Sequence, residues 1–341
     1  MQTRSCFLAL NLIAAVAAFV GPAKAASFLR VPEDFSTIQA AIDAAPDGAT
    51  ITVAPGRYTE NIDFLGKLLL LSGAGPDSVI DGAGRGPVVR FVNGEGPASV
   101  LDSFTITGGL ATQGAGIEIE NSSPTIVRNV IVDNAASGVG SGIFVGGSAA
   151  QPAIFNNLLM FNVGVNGGDP HAIQISGSSP RIVNNTLVRN DSNAILTSGS
   201  GFPEIRNNIL ARNGTRFGTF GGKGRGICDF APGSTVQYND FFRNVRSALL
   251  TAGEDYKSVR LAQELLGRPG LAANLDAAPR FTAGYLPRTA SIATREHFLP
   301  SVDPLRRSRV VEAGDPDIAY NNRDGTRNTI GFTGGPWAPL P

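Results

Sequence analysis

Between residues 123 and 244 one phrase is written five times with drift, and its reading decides the fold. Three close copies are Ser123-Pro-Thr-Ile-Val-Arg-Asn-Val-Ile-Val-Asp-Asn134, Gln151-Pro-Ala-Ile-Phe-Asn-Asn-Leu-Leu-Met-Phe-Asn162 and Ser179-Pro-Arg-Ile-Val-Asn-Asn-Thr-Leu-Val-Arg-Asn190. Two looser copies follow, Phe202-Pro-Glu-Ile-Arg-Asn-Asn-Ile-Leu-Ala-Arg-Asn213 and Ser234-Thr-Val-Gln-Tyr-Asn-Asp-Phe-Phe-Arg-Asn244. The first Asn column (129, 157, 185, 208 and 239) has spacings of 28, 28, 23 and 31 residues, and the second (134, 162, 190, 213 and 244) keeps them. Length varies outside the phrase and never inside it. Such a period implies a solenoid, in which each unit buries its apolar face only by stacking on the next.

Within the phrase, Ile126, Ile154, Ile182, Ile205 and Val236 share one column, and Ile131, Leu159, Leu187, Leu210 and Phe241 another. Strand alternation predicts that both columns, and the first Asn column with them, point inward. Buried Asn side chains in register can pass amide hydrogen bonds up the stack, which satisfies groups otherwise costly to bury. A row of calcium or sugar ligands is the competing reading of the same residues. Pro124, Pro152, Pro180 and Pro203 stand at strand starts, where a missing N–H is tolerated.

Between the phrases lies a third strand type: Gly116-Ile-Glu-Ile-Glu120, Gly142-Ile-Phe-Val145, Ala172-Ile-Gln-Ile175, Ala194-Ile-Leu-Thr197 and Gly226-Ile-Cys228. Three strands per coil and 22 to 32 residues per turn is the arithmetic of a parallel β-helix. Ahead of the stack, Ser36 to Ala45 is amphipathic, with Ile38, Ala41, Ile42 and Ala45 on one face. Ser36 and Gln39 fit a capping box, which predicts a helix of about two to three turns covering the open end of the coil. Short apolar strands recur from Lys67 to Gly109. Beyond the repeats, Asp255 to Gly267 predicts a second helix with Val259, Ala262, Leu265 and Leu266 inward, in a Pro-rich flank that closes the other end.

The chain resembles the pectin-lyase-like superfamily of right-handed parallel β-helix proteins over about residues 29 to 335. At the front, Ser36-Thr-Ile-Gln-Ala-Ala-Ile-Asp-Ala-Ala-Pro46 and Ala54-Pro-Gly-Arg-Tyr-Thr-Glu60 are similar to the opening of pectin methylesterases. At the back, Glu312-Ala-Gly-Asp-Pro316 and Arg323-Asp-Gly-Thr-Arg-Asn-Thr-Ile-Gly331 resemble the close of secreted bacterial β-helix proteins. The resemblance implies an all-β fold: a right-handed parallel β-helix with a short N-terminal capping helix. The expected organisation is a signal peptide at 1–25, a capping segment at 26–48, the coil at 49–245 and an irregular flank and cap at 246–341.

Composition agrees with a coil of short strands. The 42 glycines, 42% hydrophobic residues and 16% charged residues among 341 suit many strands joined by glycine turns and argue against disorder. Arg4 precedes an apolar run from Phe7 to Val20, Gly21-Pro22 breaks it, and Ala23-Lys24-Ala25 offers a small-residue cleavage site, so a secreted or periplasmic protein is expected. The run is shorter than the ~20 residues of a membrane span, so no transmembrane anchor is expected in the mature chain. Cleavage removes Arg4 and Lys24 but no acid, taking the net charge from 0 to −2, which gives no pull toward nucleic acid. Cys6 leaves with the signal, so Cys228 is the single cysteine of the mature chain.

Chemistry is expected on the third strand type and in the loops before it, the groove of the superfamily. Alternation places Glu118, Phe144 and Gln174 outward, with Glu120 one step further. Glu118 and Glu120, ~6.6 Å apart along the strand, form a carboxylate pair usable for glycoside cleavage. Phe144 offers a ring for stacking. Asp169-Pro-His171 delivers His171 to the mouth of the Ala172 strand, where a histidine beside a carboxylate can act as general acid or base. The tripeptide resembles the active-site signature of alginate C5-epimerases, which implies catalytic roles for Asp169 and His171. The loop from Gly214 adds Arg216, Lys223 and Arg225, suited to uronate carboxylates. The paired aspartates of polygalacturonases and the Asp-Phe-Ile motif of methylesterases are absent from the sequence.

Two functional readings follow. One is an exported protein that binds or modifies polysaccharide, acidic glycans above all, and as an enzyme would be a lyase, epimerase or hydrolase. The other is a non-catalytic scaffold of the cell envelope. A monomer is expected. Calcium is the one cofactor candidate, since scattered Asp and Asn oxygens bind it, and no residue is singled out as a metal ligand.

Overall fold

The computed structural model describes residues 27–168, 170–214, 224–231, 233–251, 253–266, 270–277, 281–282 and 301–302. The expected signal peptide, Asp169, Arg216, Lys223 and the closing motifs after residue 302 lie outside these residues. The chain winds as a right-handed parallel β-helix of about eight turns. Sheet A has ten strands, from Phe28–Val31 through Thr125–Val127 to Leu271–Ala272. Sheet B has eight, from Gly56–Tyr58 to Asp240–Phe242. Sheet C has nine, from Ile62–Asp63 to the antiparallel Glu254–Tyr256. Parallel pairing therefore begins ahead of the capping helix and continues past residue 245. A small side sheet of Leu110–Gln113, Ala135–Val139 and Val163–Gly164 forms in the turns from sheet B to sheet C.

Register explains the core. Ile126, Ile154, Ile182 and Ile205 stand opposite one another in sheet A, and Ile131, Leu159, Leu187 and Leu210 in sheet B. Ile117, Ile143, Ile173, Ile195 and Ile227 do the same in sheet C, and all are fully buried. Each methyl-rich column is a continuous apolar contact that no single coil could make.

Both Asn columns are buried except at the last member, the half-buried Asn244, and the amides link successive coils. Asn157 Oδ1 accepts from the backbone N–H and side-chain amide of Asn129 at 2.9 and 3.2 Å, while Asn157 Nδ2 donates to Asn185 Oδ1 at 3.0 Å. The expected cause of the inward direction needs correcting. These residues sit in the bends between strands, and it is the preceding residue, in the left-handed region, that turns them inward. Arg128, Asn156, Asn184, Asn207 and Tyr238 have φ of 54 to 58°. The ladder gains a rung the repeat did not announce: Asn274 Oδ1 takes Asn239, and Gln263 Oε1 takes the N–H and amide of Asn274 at 2.7 and 3.0 Å.

The caps also differ in detail. The N-terminal helix is Ile38–Ala44, capped by Thr37, whose hydroxyl accepts from Ala40 N–H at 3.2 Å. Glu60 supplies what the expected Ser36–Gln39 box would have: its carboxylate accepts from Ile38 and Gln39 N–H at 2.9 and 3.0 Å. The second helix is Val259–Leu266, since residues 254–256 pair as a strand instead.

Candidate functional site

A pocket of about 460 Å³ opens between sheet C and the side sheet at the N-terminal coils. Its floor is Ile62, Arg90 and Glu118, from strands that neighbour one another across sheet C. Ala111, Thr112 and Gln113 of the side sheet form one wall, and Asn61, Arg85 and Pro87 form the rim. Alternation builds the floor: Val89 and Phe91 point into the core, so Arg90 points out, level with Glu118.

The electrostatics are largely paired. Glu118 accepts from Arg90 Nε at 2.9 Å and from Gln113 Nε2 at 2.8 Å, so both its oxygens are occupied. Asp63 lies 3.7 Å from Arg90 and accepts from Asn93 at 2.9 Å. Arg85 is exposed and donates to Thr59 O at 3.2 Å, with no ion pair among the described residues. It is the uncompensated cation of the pocket. Along the strand, Glu120 lies across Gly146, where an added Cβ would meet its Oε2 at 2.1 Å. Burial, and then the nearby Glu118 charge, pushes the Glu120 carboxyl above the usual range.

The sequence-read residues fall into separate places. Glu118 lines the pocket, and Glu120 borders it on the same strand. Phe144 is 7% exposed and offers little ring for stacking, because the turn at Gly140 packs against it. Gln174 is half-buried, with its Oε1 lacking a hydrogen-bond partner. His171 is 2% exposed, with Nδ1 at 3.3 Å from Ser192 Oγ and 3.2 Å from Asn193 Nδ2. Arg225 is buried and bound to Asp255 at 2.5 and 2.9 Å, not presented from a loop. Register sets His171, Asn193 and Arg225 in one column on successive coils, with Asn193 Oδ1 accepting from Arg225 N–H at 2.8 Å. This column ties coils together, and Glu118 lies away from it, near the other end of sheet C.

Arg85, Arg90, Asp63 and Gln113 were not among the sequence-read candidates. Arg90 had a signal, since extending the sheet C alternation one coil back turns it outward. Arg85 and Gln113 come from turns whose paths no period describes.

The family model described as "Periplasmic copper-binding protein (NosD)" matches residues 56–260. No curated protein sequence matches the chain. Among solved structures, pectate lyase Pel9A is similar at a TM-score of 0.43 and 16% identity, over 90% of this chain and 95% of that one. A mannuronic acid specific polysaccharide family 6 lyase from human gut microbiota is similar at 0.28 and 13%, over 67% and 77%. Likeness at this level says nothing of activity or ligand.

Copper, which the family description names, calls for His, Cys or Met donors brought together. The described residues do not fit it. Met160 belongs to sheet B, while His171 and Cys228 belong to different coils of sheet C, and Cys228 is buried. Nor do the described residues bring three His, Cys, Asp or Glu side chains together as a metal-binding group.

Proposed function

This chain belongs to the NosD family of periplasmic β-helix proteins, and from that premise we propose that it binds acidic polysaccharide outside the cytoplasm. The family's periplasmic description agrees with the export signal read at the N-terminus. Among the described residues no helix is long and apolar enough to cross a membrane.

The observation that carries the reading is the uncompensated Arg85 guanidinium at the rim of the pocket. Its volume falls in the range of about 300–1,000 Å³ usual for small-molecule sites. Arg85 supplies a planar donor fork for a sugar carboxylate. Around it, Asn61, Asp63, Gln113 and the paired Arg90 and Glu118 present fixed donors and acceptors suited to ring hydroxyls. Glu118, held at both oxygens, serves as a rigid part of that floor. Binding, not turnover, is the activity this arrangement favours, because the His171 expected to do acid–base work is buried among Ser192 and Asn193.

Titration calorimetry of the mature protein with galacturonate and mannuronate oligosaccharides tests this. Arg85→Ala should weaken binding about tenfold, the size of one charge-assisted hydrogen bond, while His171→Ala should leave it unchanged. Absence of binding to either series would end the proposal.

A further inference from the structure

Most arginines in the described coil have a carboxylate partner: Arg57 with Asp81, Arg90 with Glu118, Arg128 with Asp102, Arg181 and Arg206 with Glu204, and Arg225 and Arg246 with Asp255. Three in one column do not. Arg189, Arg212 and Arg243 directly follow the strands Thr186–Val188, Ile209–Ala211 and Asp240–Phe242, whose last residues stand opposite one another. Backbone bonds from Arg189 N–H to Ala211 O at 3.2 Å and from Arg212 N–H to Phe242 O at 2.8 Å carry the register into the turn. The three side chains therefore repeat at the coil spacing, ~4.8 Å. Arg189 and Arg212 are exposed, and the Arg243 guanidinium lies over the Phe242 ring at 5.1 Å. Asp191 stands two residues beyond Arg189, yet no carboxylate comes within 4.0 Å of any of the three among the described residues.

The turn itself gives no reason for arginine. All three residues have φ of 51 to 56°, a region that Asn and Gly enter more easily than a long side chain does. At the equivalent bend one strand earlier the same three coils use Asn184, Asn207 and Tyr238. Stacking three like charges at this spacing also disfavours the coil. Both costs fall on the fold, and a bound polyanion would relieve the second.

We propose that Arg189, Arg212 and Arg243 form a ridge that binds a linear acidic polysaccharide running along the coil axis, with one carboxylate meeting each coil. This rests on the polysaccharide reading above and adds a second contact line, on the turn after sheet B. A polyuronate carries one carboxylate per sugar ring, so its charge repeats at about the width of a ring. That repeat is commensurate with one cation per coil.

The test uses the full mature chain, digalacturonate as the short probe and polygalacturonate longer than three coils as the long one. The variant Arg189→Asn, Arg212→Asn and Arg243→Asn keeps residues that accept the left-handed turn. It should bind the long probe about tenfold more weakly and lower the slope of log Kd against log salt by about two, as loss of three ionic contacts requires. Digalacturonate affinity should stay unchanged, because that probe reports the Arg85 pocket. Unchanged long-probe affinity would overturn the ridge while leaving the pocket intact. Loss of digalacturonate binding in Arg85→Ala together with an intact long-probe response would keep both. If oligothymidylate binds as tightly as polygalacturonate and loses as much in the variant, the ridge recognises charge alone and the polysaccharide assignment falls.

Discussion

At the scale of single residues, Glu120 shows how far alternation reaches. The pattern turns it outward, but its ionisation depends on groups the pattern does not place. Its carboxyl is raised by burial over Gly146 and by Glu118 on the same strand. A raised carboxyl means the folded state holds its proton more tightly than the unfolded chain does. Stability from this group is therefore complete below the ordinary Glu range and is lost as pH rises through the raised value. Glu120→Gln keeps that stability. Its melting temperature should match the parent's below about pH 4 and exceed it at neutral pH, as thermal scans across pH would show; a constant difference would mean that Glu120 titrates normally. Other residue roles were hidden in sequence for a similar reason. His171 and Arg225 carry the chemistry expected of a site, yet each is buried and held by partners from other coils, Asn193 and Asp255. Arg85 has no motif, and its position follows from a turn.

At the scale of elements, the Asn ladder was the most legible feature, because equal spacings in two columns have few explanations other than stacking. Asn185 Oδ1 accepts from the Asn157 N–H and amide, and its own Nδ2 donates to Ile154 O, Val183 O and Asn208 Oδ1. Asn185→Ala strands several buried backbone groups at once. It should cost about 2–4 kcal/mol in denaturant unfolding, given about 1–3 kcal/mol for each unsatisfied group. A loss under about 1 kcal/mol would mean that water takes the place of the amide. The ends of the ladder were less legible. Gln263 comes from a helix and reaches the last rung by packing, and the expected capping box at Ser36 gave way to Glu60, a residue from the next coil. Local sequence names a helix end, while the group that satisfies it can come from anywhere nearby in space.

At the scale of the molecule, each coil pairs only with the coils before and after it, so stability should be graded along the axis. Amide hydrogen exchange should be slowest in the strands from Ile117 to Ile227 and fastest at Ile62–Asp63 and Glu254–Tyr256, the ends of sheet C. Uniform protection would show that the coil opens as one unit. The sequence by itself determined the coil, its period, the inward columns and the sheet that carries Glu118, because short-range alternation and repeated spacing constrain every turn in the same way. Only the tertiary structure decided which outward residues share a pocket and which are sealed in. The Arg85, Arg90 and Gln113 contacts depend on the paths of irregular turns, and the Arg225–Asp255 pair depends on how the last strands fold back. Those paths follow from packing and charge across coils, and no period along the chain encodes them.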